Sequence, residues 1–258
     1  MKPDWTPLRA ELALWRQAGL TLPLWWRDDD AVTVTPQLEQ LTELSNTLGL
    51  PVHLAVIPQT AQTDLADFLR VNPQLIPVVH GWAHTNHAPA DEKKAEFRLH
   101  RPLEALSTEA EAGLNRLQDL FGQSLAPMFV PPWNRIAGEV IAELPKLGYR
   151  FLSTATPRKS AYPADGLAQV NTHLDPIDWR GTRSLKHPGA LIEQTVCLLQ
   201  DRRNGRSDDS EPFGILTHHL VHDPDIWAFT HDLITQLLEG PGHLWTAHDT
   251  SELQGDPA

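Results

Sequence analysis

The sequence predicts an α/β chain, arranged as an irregular (β/α) barrel or else as an open doubly wound sheet. Short apolar runs alternate with helix-period stretches from end to end, and each change of period is marked by Pro, Gly or a cap residue. The densest titratable clusters also fall where the apolar runs stop. Barrels and open α/β sheets alike place functional groups at such strand ends.

Taken in order, strands are expected at 22–26 (LPLWW), 52–57 (VHLAVI), 75–80 (LIPVVH), 127–130 (PMFV), 149–153 (YRFLS), 167–174 (LAQVNTHL) and 213–218 (FGILTH), with an eighth candidate at 243–248 (HLWTAH). Between them, TPQLEQLTELSNTLGL has a Thr-Pro start, a stripe of Leu38, Leu41, Leu44 and Leu48, and a Gly49 stop, which is a complete helix signature. The stretches 104–122, 137–148, 190–203 and 223–240 read the same way. Two polar insertions, 86–102 and 201–212, read as surface loops, and the tail QGDPA as frayed. With no internal repeat and no linker, the expectation is one domain over 1–258 with its core at about 20–250.

Composition narrows the function. A 41% hydrophobic content supports a sizeable core, and a formal charge of −12 argues against nucleic acid or an anionic membrane surface as partner. On that overall charge a neutral or cationic substrate fits better. The one cysteine, Cys197, rules out an internal disulfide; it sits in an apolar helical stripe and is expected to be buried and inert. Acidic residues interrupt the first fifteen positions where a secretory signal needs an apolar run, so the protein is expected to be cytoplasmic. No apolar run approaches the ~20 residues of a membrane span.

The chemistry gathers at five strand ends. The first closes on Arg27-Asp28-Asp29-Asp30, the third on HGWAHTNH, the fourth on PPWNR, the sixth on HLDPIDWR and the seventh on THHLVHD. Three adjacent carboxylates repel one another. They make a solvated, helix-capping turn, or a site in which one carboxylate holds a cation and its neighbour moves a proton. His80 and His84 are four apart, and on a helical turn both imidazoles reach one ion. Two imidazoles and one carboxylate leave positions open for water and substrate, as in catalytic rather than structural zinc sites. The register of His84 with His87 (HTNH) is the alternative; His80 is preferred because it closes the apolar run.

These motifs, in this order over roughly residues 20 to 250, resemble those of the polysaccharide deacetylases, carbohydrate esterase family 4. Asp29-Asp30, His80 to His84, VPPWN (130–134), DPIDW (175–179) and LTH (216–218) match the family's aspartate pair, histidine pair, proline motif, Asp/Trp motif and Leu-x-His motif. The resemblance implies an irregular (β/α)7 barrel in which Asp30, His80 and His84 hold a divalent metal, zinc above others, with Co2+ or another divalent ion possible in principle. It implies Asp29 as the base that deprotonates the attacking water, and His218 as the acid that protonates the departing amine. A backbone N–H near Trp133 would stabilise the oxyanion, and Trp179 and Leu216 would wall the pocket for the acyl group.

Two positions depart from the family pattern. Gly81 stands where Ser or Thr follows the first histidine, and Val130 where an arginine orients the base, leaving Arg27 and Arg135 as candidates to replace it. Asp28 is expected on the opposite side of the strand, meeting an arginine. Asp178 either pairs with a site arginine or caps its turn; His173 and Asp175 are candidates for the layer behind the site. His219, His222 and Asp223 either form a second metal set or, with Asp223 before Pro224, include a helix cap. The implied activity is removal of acetyl or another small acyl group from an amino sugar or related N-acylated substrate. Its competitors are an N-acyl amide hydrolase acting on a non-sugar metabolite, a silent carbohydrate- or partner-binding barrel, and a helical phosphohydrolase of the His-Asp type.

Overall fold

Nine parallel strands and seven helices alternate along the computed structural model, which describes residues 3–248; the tail QGDPA lies outside them. The strands are β1 (Leu22–Ala31), β2 (Val52–Val56), β3 (Leu75–His80), β4 (Met128–Val130), β5 (Phe151–Leu152), β6 (Ala168–Gln169), β7 (Thr172–Leu174), β8 (Phe213–Thr217) and β9 (Gly242–Leu244). They run in the order β6-β5-β4-β3-β2-β1-β8-β7, with β9 added beside the start of β1. A single parallel bridge, Ala155 to Thr172, joins the segment that follows β5 to β7 and so closes the ring. There the Thr156 N–H donates to the Thr172 carbonyl at 2.8 Å and the Thr172 N–H to the Thr154 carbonyl at 3.1 Å. The irregular α/β barrel is thus present, closed by one bridge rather than a full ladder. A helical His-Asp phosphohydrolase is excluded.

The helices are α1 (Thr6–Gln17), α2 (Pro36–Leu48), α3 (Thr63–Val71), α4 (Leu103–Phe121), α5 (Gly138–Glu143), α6 (Pro188–Arg203) and α7 (Pro224–Leu238). In α2 the Thr35 side chain accepts the Leu38 N–H at 3.1 Å and Gly49 closes the helix at φ 65°, as the sequence signature requires. Asp223 caps α7 through the Ile226 N–H. Two helices, α1 and α3, were not among those expected. Their apolar stripes, Leu8, Leu12 and Trp15 in α1 and Leu65 and Leu69 in α3, are buried.

Strand alternation sorts the core into two layers. Trp26, Leu54, Val56 and Phe213 meet the helices, whereas Trp25, Ala55, Val78, Met128, Phe151 and Trp245 pack together inside the ring. No helix among the described residues is long and apolar enough to cross a membrane.

Several expectations are corrected. The helix over 137–148 is confined to Gly138–Glu143, because Pro145 has no N–H to continue the ladder of i to i−4 hydrogen bonds. The strand over 167–174 divides at Val170-Asn171, where the Asn171 N–H turns away to the Glu211 carboxylate at 3.0 Å. Cys197 is exposed: α6 buries Leu191, Ile192, Thr195 and Leu199, and residue 197 falls on the opposite face. Neither polar insertion is wholly superficial. The first buries Ala95, Glu96 and Phe97, and the second buries Arg202 and Glu211.

Candidate active site

Alternation along β1 separates the charged residues that close it. Trp25, Arg27 and Asp29 face into the ring, while Trp26 and Asp28 face the helices. Asp28 meets no arginine, contrary to expectation. Its Oδ2 accepts from the Thr217 hydroxyl at 2.6 Å and the His219 N–H at 3.0 Å, and its Oδ1 lies 2.5 Å from His219 Nδ1. Burial raises the Asp28 pKa, yet the His219 and Thr217 contacts outweigh it and hold the carboxyl below its usual range.

Strict alternation would turn Asp30 away from Asp29. Instead Asp30 takes φ 77°, and the register of β1 on β2 breaks between Asp28 and Ala31. This irregularity re-aims Asp30 so that both carboxylates line one cleft. Left-handed backbone in a non-glycine residue is uncommon and concentrates at functional sites.

Asp30 meets two histidines. Its Oδ1 is 3.2 Å from His80 Nε2 and 3.3 Å from His84 Nε2, and the ligand-capable atoms of the three residues lie within 4.8 Å of one another. His80 Nδ1 sits 3.0 Å from the Val130 carbonyl, so that nitrogen donates to it and Nε2 is the ring atom turned to the cluster. The Asp30 carboxyl is driven up by burial but held well below the usual range by the His80 hydrogen bond and by His80, His218 and His84. His84 is pushed down by burial and by His80. A carboxylate that stays ionised beside two converging imidazoles is a donor set that fits a divalent cation. His87 does not join it, and His219, His222 and Asp223 form no second set: among the described residues this cluster is the one grouping of its kind.

The backbone that presents His84 is shaped by a residue without sequence signal. Glu96, fully buried, accepts the N–H groups of Trp82 at 3.2 Å, Ala83 at 2.8 Å and Thr85 at 3.2 Å, while His84 takes φ 55°. Gly81 has φ 57°, and a Cβ there would collide with Glu96 Oε2 and come within 2.5 Å of Pro132 Cδ. The substitution of glycine for Ser or Thr in this motif is therefore a requirement of the packed loop.

Asp29 is gripped by Arg27. Arg27 Nε reaches Asp29 Oδ1 at 2.9 Å and Nη2 reaches Oδ2 at 3.0 Å, while Ser153 Oγ accepts from Nη1 and Asn134 Oδ1 from Nη2, at 2.7 Å each. Arg135, the other candidate for that contact, instead donates to the Lys94 carbonyl at 2.6 Å. Across the cleft His218 Nε2 stands 4.0 Å from Asp29 Oδ2, with the Trp179 ring edge-on at 4.7 Å. Trp133, at φ 56°, packs on His84 with ring centroids 4.4 Å apart. Asp29, Asp30, His80, His84, Trp133, Trp179, Leu216 and His218 all border one cleft of about 470 Å³, within the range of small-molecule sites.

Other expectations resolve locally. Asp178 accepts the Gly181 and Thr182 N–H groups and caps its own turn. His173 lies in a buried group with Glu211 and Arg202. Asp175 borders the cleft and accepts from Trp179 Nε1 at 2.7 Å. Asn134 and Ser153, which sequence reasoning missed, stand at the ends of the fourth and fifth apolar runs; that position is the signal that could have found them. Glu96, inside a charged insertion, carried none.

The barrel has the fold seen in solved structures of polysaccharide deacetylases. No family model and no curated protein matches the sequence, but solved structures of that class superpose on it. A family 4 carbohydrate esterase from Streptomyces lividans, in complex with acetate, is 13% identical with a TM-score of 0.54, covering 88% of this chain and 94% of its own. A peptidoglycan deacetylase from Bacillus subtilis is 14% identical, with a TM-score of 0.54 over 90% of this chain and 91% of its own. A family 4 acetyl xylan esterase from Clostridium thermocellum, in complex with a cobalt ion, is 13% identical, with a TM-score of 0.52 over 91% and 92%. At such identities the likeness is one of fold.

Proposed function

We propose that the protein is a metal-dependent deacetylase that hydrolyses the amide of an N-acetylated, or otherwise N-acylated, amino sugar or related substrate. The observation that carries this reading is a cleft that gathers the Asp30, His80 and His84 donor set, an arginine-held carboxylate and, 4.0 Å from that carboxylate, a histidine. A binding protein has no use for that pairing of base and acid.

Asp30, His80 and His84 would hold the cation, for which we assign zinc, with cobalt or another divalent ion able to occupy the same donors. When bound, the ion polarises the acyl carbonyl and acidifies water. Asp29 takes a proton from the water that attacks the acyl carbon; Arg27 keeps its carboxylate aimed. The carbon–nitrogen bond then breaks, the acyl group leaves as the carboxylic acid, and His218 supplies the proton that lets nitrogen depart as an amine. A backbone N–H of the Trp133 turn would steady the oxyanion, and Leu216 and Trp179 would wall the acyl group.

The test is acid release by zinc-loaded protein from a panel of N-acetylated monosaccharides, chito-oligosaccharides and small N-acyl amides. Acetate from a sugar substrate, lost in Asp29→Asn, is the expected result. Turnover confined to non-sugar amides would move the assignment to a metabolite hydrolase, and no turnover of any amide would overturn it.

A further inference from the structure

The cleft is also bordered by cations. Lys94, Arg135 and Arg183 border it, from the loop after β3, the turn after β4 and the loop after β7. Arg98 and Arg180 stand close enough behind Arg135 to disfavour its charge: burial lowers the Arg135 pKa first, and those two guanidiniums lower it further. None of the five forms an ion pair among the described residues, in a chain with a formal charge of −12. Elsewhere arginines do find carboxylates, as Arg101 does with Glu109, Arg158 with Asp208 and Arg203 with Glu11.

The acids nearby accept from neutral N–H groups rather than from these cations. Asp175 spends its oxygens on the Ile177 N–H and Trp179 Nε1, and Asp178 on the Gly181 and Thr182 N–H groups. Two of the cations are also held in place. Arg135 is tied to the Lys94 carbonyl at 2.6 Å, and the Arg183 guanidinium lies 5.5 Å from the centroid of the Trp179 ring. Lys94, Arg135 and Arg183 share the cleft lining with Asp29, Asp30 and Asp175 but pair with none of them, and an arriving anion supplies the partner they lack. Guanidinium forks match the oxygens of phosphate and carboxylate groups, and phosphate, with two charges, answers a cluster of several cations better than one carboxylate does.

We infer that the substrate carries an oxyanion, a phosphate ester in the first place, and that Lys94, Arg135 and Arg183 bind it while the acyl amide lies at Asp29 and His218. The orientation of the amide rests on the deacetylase reading; the anion subsite does not. Local charge, not the acidic whole, sets the substrate class.

Calorimetric titration of the full-length protein with N-acetylglucosamine, its 1-phosphate, its 6-phosphate and the carboxylate-bearing N-acetylneuraminate tests this directly. At least one phosphorylated sugar is expected to bind about ten-fold or more tightly than the neutral sugar, with a preference that shrinks as salt rises. In the Arg135→Gln, Arg183→Gln double variant the ratio should fall toward one. A preference for the carboxylate sugar that vanishes in the same variant would keep the oxyanion subsite and replace its phosphate occupant. Equal or absent binding of charged and neutral sugars, or a preference that survives the double substitution, would overturn the inference. Acid release from the same sugars is the separate readout of the deacetylase reading: rim-dependent binding without turnover would sink that reading and leave the anion subsite standing.

Discussion

Arg27 and Asp29, two residues apart on one face of β1, form a buried two-point ion pair, with Nε to Oδ1 at 2.9 Å and Nη2 to Oδ2 at 3.0 Å. An arginine two positions upstream on the same strand thus makes the contact that Val130 cannot. Lysine offers one point charge in place of a fork, so Arg27→Lys should lower kcat at least about ten-fold while changing KM little. Arg27→Met leaves the Asp29 carboxylate buried and uncompensated, and urea denaturation should show a loss of about 3–5 kcal/mol.

The ligand assignment has its own signature in elemental analysis. Wild type and Asp29→Asn are expected to retain about one divalent ion per chain, as a three-ligand catalytic site does. His80→Ala and His84→Ala should lose it, and His87→Ala should keep it. Retention in His80→Ala would refute the cluster built on Asp30.

Gly81 tests the motif's departure from the family pattern. Gly81→Ser places a Cβ 2.5 Å from Pro132 Cδ at φ 57°. The expected cost is about 2–3 kcal/mol, read as a fall of several degrees in Tm. A neutral Gly81→Ser would mean that the loop relaxes freely.

Glu96 holds three N–H groups of the loop that presents His84, so Glu96→Gln turns an amide donor toward backbone donors. Stability should fall by about 1–3 kcal/mol. Through His84, metal affinity should fall about ten-fold, measurable by competition with a chelator.

His222 makes a pH-dependent contribution. Burial is the main cause that lowers its pKa to about 4, with His218 and His219 adding to it; Nε2 accepts the His218 N–H and the ring lies edge-on to Trp227. The unfolded chain binds a proton near pH 6.5 and the folded chain does not until about 4. Stability from this residue is therefore full above pH 6.5 and is lost as pH falls toward 4, by about 3 kcal/mol in all. Melting curves at pH 7 and pH 5 should separate less in His222→Gln than in wild type. Equal separation would refute the assignment.

The alternation of apolar runs with helix-period stretches made the α/β architecture legible, and the strand-end rule selected the clusters RDDD, HGWAHTNH and THHLVHD; spacing paired His80 with His84, and the family resemblance singled out Asp29, Asp30 and His218. These signals are local: periodicity, caps and the position where an apolar run stops can be read from a few neighbours along the chain. The same local signal is present in α1, where Leu8, Leu12 and Trp15 share a face behind a Thr-Pro start.

What local pattern could not supply was decided by contacts distant in sequence. Period-two alternation would place Asp29 and Asp30 on opposite faces; only the break in register against β2 brings them into one cleft. Asp28 found His219 rather than an arginine because β8 pairs with β1 so that Thr217 lies beside Asp28. Glu96 became the anchor of the histidine loop from within a charged stretch, and Lys94, Arg135 and Arg183 met at one rim from three separate loops. The sequence by itself determined which strand ends carry the chemistry, since that follows from hydrophobic period. Which charges face which was left to the tertiary structure, because a side chain's partner depends on register and loop packing that no single stretch of chain encodes.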